Sequence, residues 1–150
     1  MNLVGVYLFG SLTYGDFNLQ RSDIDLVAVL NEPASTTEIN KYQSILELLK
    51  ERFPKWSKRV EVSYTPLEMF SSTDPPGKRP YFGDGRFWPD AQYGNEWIIN
   101  NFLLYKHGIT LLGPDIKSLM KEPGIEEVRK ASVKDLYKEW EPILRAIVSV

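Results

Sequence analysis

Asp23 and Asp25 flank Ile24 at the threshold of an apolar run, "IDLVAVL", that reads as a buried strand over 24–30. Side chains alternate along a strand, so both carboxylates project to one face and Ile24 to the other. Like charges that close repel each other, and their burial is costly unless a cation compensates. Magnesium takes carboxylate and phosphate oxygens, so this D-x-D pair is a candidate magnesium clamp. Gly10 and Ser11 stand just after an earlier apolar run. Glycine lets a backbone approach a phosphate closely, and backbone N–H groups with the serine hydroxyl can hydrogen-bond it. A third carboxylate, Glu61, sits on the polar face of "KRVEVSYT". It suits either a metal ligand or a general base that takes a proton from an attacking hydroxyl. Each feature alone is common, and D-x-D is frequent in loops. Their ordered combination describes a site that transfers a phosphate-containing group.

The elements that must position these residues are legible in the pattern. Leu3 to Phe9 reads as a first buried strand and Ser11 to Ser22 as a turn-rich connection. Ser35 and Glu38 have capping-box spacing, and Ile39, Tyr42, Leu46, Leu49 and Phe53 mark an amphipathic helix that Pro54 stops. Val60, Val62 and Tyr64 alternate with Arg59, Glu61 and Ser63 in a third strand. Residues 65–94 are dense in Pro, Gly and aromatics without a clear period, and read as one long loop. In it, Lys78, Arg79 and Arg86 among Tyr81, Phe82, Phe87 and Trp88 suit either nucleotide contacts or a surface loop covering the core edge. A helix over Asn95–His107, a short strand in "GITLLGP" and a helix over Ser132–Val150 interrupted at Pro142 complete the chain. Trp97, Phe102, Leu104, Leu136, Trp140 and Leu144 are expected in the core. The apolar end "ILRAIVSV" either packs on the sheet or presents a face to a partner. The order of elements predicts an α/β or α+β domain around a small mixed β-sheet flanked by helices.

The stretch "GSLTYGDFNLQRSDIDL" resembles the signature of the DNA polymerase beta-like nucleotidyltransferase superfamily. "VEVSYT" and "LYKHGITLLGP" resemble the nucleotidyltransferase half of aminoglycoside adenylyltransferases of the streptomycin/spectinomycin type. The resemblance implies the nucleotidyltransferase fold, with Gly10 and Ser11 binding the nucleoside triphosphate, ATP by expectation. It implies that Asp23 and Asp25 hold two Mg2+ ions. Glu61 would be the catalytic base, as in the aminoglycoside-modifying members, or a metal ligand, as in other branches. A hydroxyl of a small molecule or protein would attack the α-phosphate and release pyrophosphate. Members of this type carry a helix before the first strand and a C-terminal helical domain that completes the substrate cleft. This chain is expected to be a single nucleotidyltransferase domain over 1–150 without that helical domain. Two other readings go with the superfamily. One is a toxin–antitoxin-type minimal enzyme that modifies a helical protein partner; the other is a truncated, inactive relative that binds nucleotide or a partner.

Bulk properties narrow the field. The 150 residues suit one domain with a real core. A net charge of −2 offers no basic footprint for duplex nucleic acid. Without cysteine there are no disulfides, thiolate zinc sites or thiol nucleophiles, in keeping with an expected cytoplasmic location. No apolar stretch is long enough for a membrane span, and the N-terminus lacks the features of a signal peptide. The single histidine, His107, is assigned to a helix end rather than to catalysis. A protein partner or homo-oligomer remains compatible with the apolar C-terminal segment.

Overall fold

Three runs rich in Val, Leu and Tyr become adjacent strands, β1 (Leu3–Phe9), β2 (Ile24–Leu30) and β3 (Val60–Pro66), in the computed structural model, which describes residues 1–149. β1 pairs with β2 antiparallel, whereas β2 and β3 run parallel. A parallel pair needs a crossover, and helix α1 (Thr36–Arg52) supplies it. The capping box forms: the Glu38 N–H donates to Ser35 Oγ at 3.3 Å, and the Ser35 N–H donates to Glu38 Oε2 at 2.9 Å. Strands β4 (Arg79–Gly83), β5 (Arg86–Ala91) and β6 (Ile109–Leu112) extend the sheet to the order β5-β4-β3-β2-β1-β6. All pairings other than β2–β3 are antiparallel, so the sheet is mixed, as expected.

Strand alternation sorts the core into two layers. Tyr7, Val27 and Val29 face helix α2 (Trp97–His107), and Leu104 of that helix covers them together with Ile116 and Met120 from the segment beyond it. Ala28, Leu30, Val62, Tyr64 and Phe82 face the other way and close over Leu46 of α1. Both faces of β2 are therefore covered, which is why its sequence is a continuous apolar run rather than an alternating one. Asp25 shares the face of Val27 and so opens on the α2 side of the sheet.

Residues 65–94 are not one long loop. They contain a 3₁₀ turn (Leu67–Ser71) and the β4–β5 hairpin. Asp84 and Gly85 turn the hairpin with φ of 49° and 69°. Two positive φ values suit the twist of a two-residue hairpin, and Asp-Gly is among the best sequences for it. Two prolines inside the strands masked the alternation. Arg79 accordingly lies in a strand and is buried, with 8% of its surface exposed.

The C-terminal segment also departs from expectation. Helix α3 (Ile125–Asp135) begins earlier than Ser132, a π turn follows over Leu136–Trp140, and α4 covers Glu141–Val148. Pro142 falls in the first turn of α4, and the Glu141 N–H bonds back to the Leu136 carbonyl. A proline ring clashes with the carbonyl four residues earlier, and the wider turn removes that clash without ending the helix. Val150 lies outside the described residues. Leu136, Trp140 and Leu144 are 50%, 56% and 52% exposed, so they are not core. α3 packs on α2, and α4 packs on the π turn that precedes it. Trp97 and Leu104 are buried as expected, while Phe102 is half-buried.

Candidate active site

The parallel register of β2 and β3 places Asp25 directly opposite Glu61, and β1 adds Phe9 opposite Asp25. Partners in register share a sheet face, so both carboxylates stand on the α2 side. There they line a cleft of about 730 Å³ between the sheet and α2, together with Gly10, Ser11, Arg79 and Tyr81. The Gly10-Ser11 turn occupies the β1 end of this cleft, and the β4–β5 hairpin occupies the other.

Gly10 has a φ of 75°, and a Cβ built on it would overlap Asp25 Oδ2. Only glycine allows that backbone conformation and that approach together. The Thr13 N–H and hydroxyl both donate to the Gly10 carbonyl, at 2.9 and 2.7 Å, and hold the turn closed. Ser11 is half-buried beside it.

Burial pushes the Asp25 carboxyl up to about 6, and the neighbouring Glu61 and Asp23 charges add to the shift. Glu61 is also raised, first by burial and then by Asp23 and Asp84, against the Tyr81 hydroxyl and Arg79, which pull it down. Asp23 precedes β2, is half-buried and does not line the cleft. Its influence on the other two carboxylates is through its field. Among the described residues, no group of three or more Asp, Glu, His or Cys side chains is gathered closely enough to hold a metal ion. The donor chemistry nevertheless suits magnesium. Asp25 is a half-buried carboxylate without an ion-pair partner among the described residues, and burial and the Glu61 and Asp23 charges all raise its proton affinity.

One positioning residue escaped the sequence reading. Arg59 ends the segment before β3, and its guanidinium donates to the Leu19 carbonyl at 2.7 Å and to the Ser22 carbonyl. Its guanidinium carbon lies over the Trp56 ring, 4.9 Å from the centroid. The Ile24 N–H donates to the Arg59 carbonyl at 2.7 Å. Arg59 thereby ties the loop that presents Asp23 to the base of β3. Its only sequence signal was its place on the polar face of an alternating strand.

The hairpin cations separate. Lys78 is exposed and lies 3.7 Å from Asp90, and Arg86 is exposed, whereas Arg79 enters the cleft. His107 is exposed at the end of α2, edge-on to Tyr14 at 5.7 Å, and lies outside the cleft lining.

A mixed sheet that sets a Gly-Ser turn against paired carboxylates has the organisation of a nucleotidyltransferase. Residues 2–68, which hold β1, β2, α1 and β3, match the family model for the nucleotidyltransferase domain. Its fold is that of spectinomycin adenyltransferase AAD(9) from Enterococcus faecialis, whose crystal structure contains ATP and spectinomycin. The two align with a TM-score of 0.68 and 19% identity, over 93% of this chain and 62% of that one. This chain thus spans less than two thirds of that protein's length. A toxin-antitoxin crystal structure with AMP-PNP aligns over 99% of this chain and 86% of that one, with a TM-score of 0.41 and 14% identity, too weak a likeness to bear on function. No curated protein matches the chain. No described helix is long and apolar enough to cross a membrane.

Proposed function

We propose that the protein is a magnesium-dependent nucleotidyltransferase that moves a nucleoside monophosphate, AMP by preference, from its triphosphate to a hydroxyl and releases pyrophosphate. The observation that carries this reading is the Asp25–Glu61 pair, set in register on one sheet face with Gly10 backed onto Asp25. The backbone of the Gly10-Ser11 turn and the Ser11 hydroxyl bind the triphosphate at the β1 end of the cleft. Asp25 and Asp23 hold the metal, Asp23 brought round by the loop that Arg59 anchors. When bound, magnesium supplies charge neutralisation at the attacking and leaving oxygens. Glu61, on the far side of Asp25 from the turn, takes the proton of the acceptor hydroxyl. Its burial keeps it a better base than an exposed carboxylate. The hydroxyl oxygen then bonds the α-phosphorus as the bond to the bridging oxygen breaks, and pyrophosphate leaves from the Ser11 side. The ATP in the spectinomycin adenyltransferase structure supports an adenine nucleotide.

Calorimetry with ATP and GTP, with and without magnesium, tests this directly, followed by pyrophosphate release from the wild type and from Asp23→Ala/Asp25→Ala. Magnesium-dependent binding that the double variant loses is the expected result. Equal binding with and without magnesium, or in the variant, would overturn the reading.

A further inference from the structure

Beyond Glu61, away from the Gly10-Ser11 turn, the cleft contains a buried cation with no ion-pair partner among the described residues. Arg79 is 8% exposed. Its Nε donates to Ser63 Oγ at 3.0 Å and its Nη1 to the Gln92 carbonyl at 2.6 Å. The guanidinium lies 3.9 Å from the Tyr93 ring centroid and 4.8 Å from that of Tyr81. Glu96 lines the same cleft, but its Oε1 accepts from the Gly94 N–H at 3.0 Å and it forms no ion pair with Arg79. A guanidinium has five N–H donors; here aromatic faces and neutral acceptors hold it, and Glu96 and Glu61 act on it through their fields without forming an ion pair. A buried charge without a counter-ion is costly, and planar recognition of carboxylate or phosphate is what arginine does best.

Position says which substrate would meet it. Gly10 follows β1, Asp25 and Glu61 are on β2 and β3, and Arg79 is on β4. Neighbouring strands lie about 4.8 Å apart, so the three strand steps alone put the Arg79 backbone at least about 14 Å from the triphosphate turn. Glu61 and the metal-binding carboxylate come between them. A group on Arg79 therefore belongs to the acceptor and not to the triphosphate.

We infer that Arg79 is the anchor of the acceptor site, and that the acceptor is a hydroxyl compound with an anionic group, carboxylate or phosphate, next to an apolar or aromatic face. Tyr81, Trp88, Tyr93 and Trp97 form the wall for that face. This rests on the proposed transfer reaction for the word acceptor, but the anion preference of the pocket can be read without turnover.

The test uses two probes with one ring and opposite charge, phenyl phosphate and phenyltrimethylammonium, titrated against tryptophan fluorescence of the full chain. Binding of a non-hydrolysable ATP analogue with magnesium is measured first, and failure there counts against the proposed function alone. The titrations are run with and without that analogue. Phenyl phosphate is expected to saturate in both, about tenfold more tightly than the cation, and to weaken about tenfold in Arg79→Gln while Arg79→Lys recovers part of the loss. Equal or tighter binding of the cation by the wild type overturns the inference, as does displacement of phenyl phosphate by the analogue. Unchanged affinity in an Arg79→Gln protein with wild-type circular dichroism overturns it as well. The wild-type comparison of the two probes decides the matter if Arg79→Gln does not fold.

Discussion

Asp25 and Glu61 occupy opposed positions on two parallel strands, both on the face covered by α2. Burial raises the proton affinity of both carboxylates, and the Glu61 charge raises that of Asp25 further. The pair costs stability in the metal-free protein.

Asp25 moves from 3.8 in the unfolded chain to about 6 in the folded one. Between those values the unfolded state releases its proton first, so rising pH destabilises the fold through this group. The penalty is complete above about pH 6 and absent below the unfolded value. In buffer with a metal chelator, Asp25→Asn is expected to have a higher Tm than the wild type at pH 8. That advantage should shrink as the pH falls through 6 toward 4. A gap that stays constant with pH would contradict the assigned cause.

Gly10→Ala places a methyl group against Asp25 Oδ2 at a φ of 75°. The substitution is expected to cost about 1 kcal/mol or more in stability. Because the turn itself must move, Mg-ATP affinity should fall more than tenfold, a loss greater than that in Thr13→Ala, which removes one of two bonds to the same carbonyl. Calorimetry on the two variants makes the comparison.

Glu61→Gln separates the two roles open to Glu61. A general base typically contributes about 10²–10⁴ in rate. Turnover is therefore expected to drop within that range while Mg-ATP affinity stays within about twofold. A parallel loss of magnesium-dependent nucleotide binding would make Glu61 a metal ligand instead.

Arg59→Lys keeps the charge but cannot span the Leu19 and Ser22 carbonyls together. Magnesium affinity of the nucleotide complex is expected to weaken several-fold, and proteolysis within 16–22 should quicken. Unchanged cleavage would show that the loop holds its place without the guanidinium.

Gly85→Ala meets no close contact, since the nearest atom, Lys58 Cγ, is 3.4 Å from the added Cβ. Only its φ of 69° is strained, so the expected cost is about 1 kcal/mol. Denaturant unfolding reads it, with the slope unchanged. A larger loss would mean that the hairpin turn is held by more than its backbone geometry.

The central strands, α1 and its capping box, and α2 were legible because each is specified locally, by an apolar period and by residues that suit one terminus. The hairpin was less so. Its Asp84-Gly85 turn is a strong signal, but Pro80 and Pro89 inside the strands broke the alternation on either side. The C-terminal segment misled in the opposite direction. Leu136, Trp140 and Leu144 recur at helical spacing, and periodicity marks an apolar face without saying whether anything covers it.

The types and order of the site residues were set by the chain itself: a Gly-Ser turn, two aspartates flanking one isoleucine, and a glutamate between valines. Short-range steric rules turn such patterns into strands and turns, so they can be read one residue at a time. Tertiary structure alone decided that Asp25 stands opposite Glu61 while Asp23 lies outside the cleft lining, that Arg59 holds the loop leading into Asp23, and that Arg79 is a buried cation rather than a surface one. Those are relations between segments far apart in sequence. They depend on strand register and on which face each helix covers, and no local pattern encodes either.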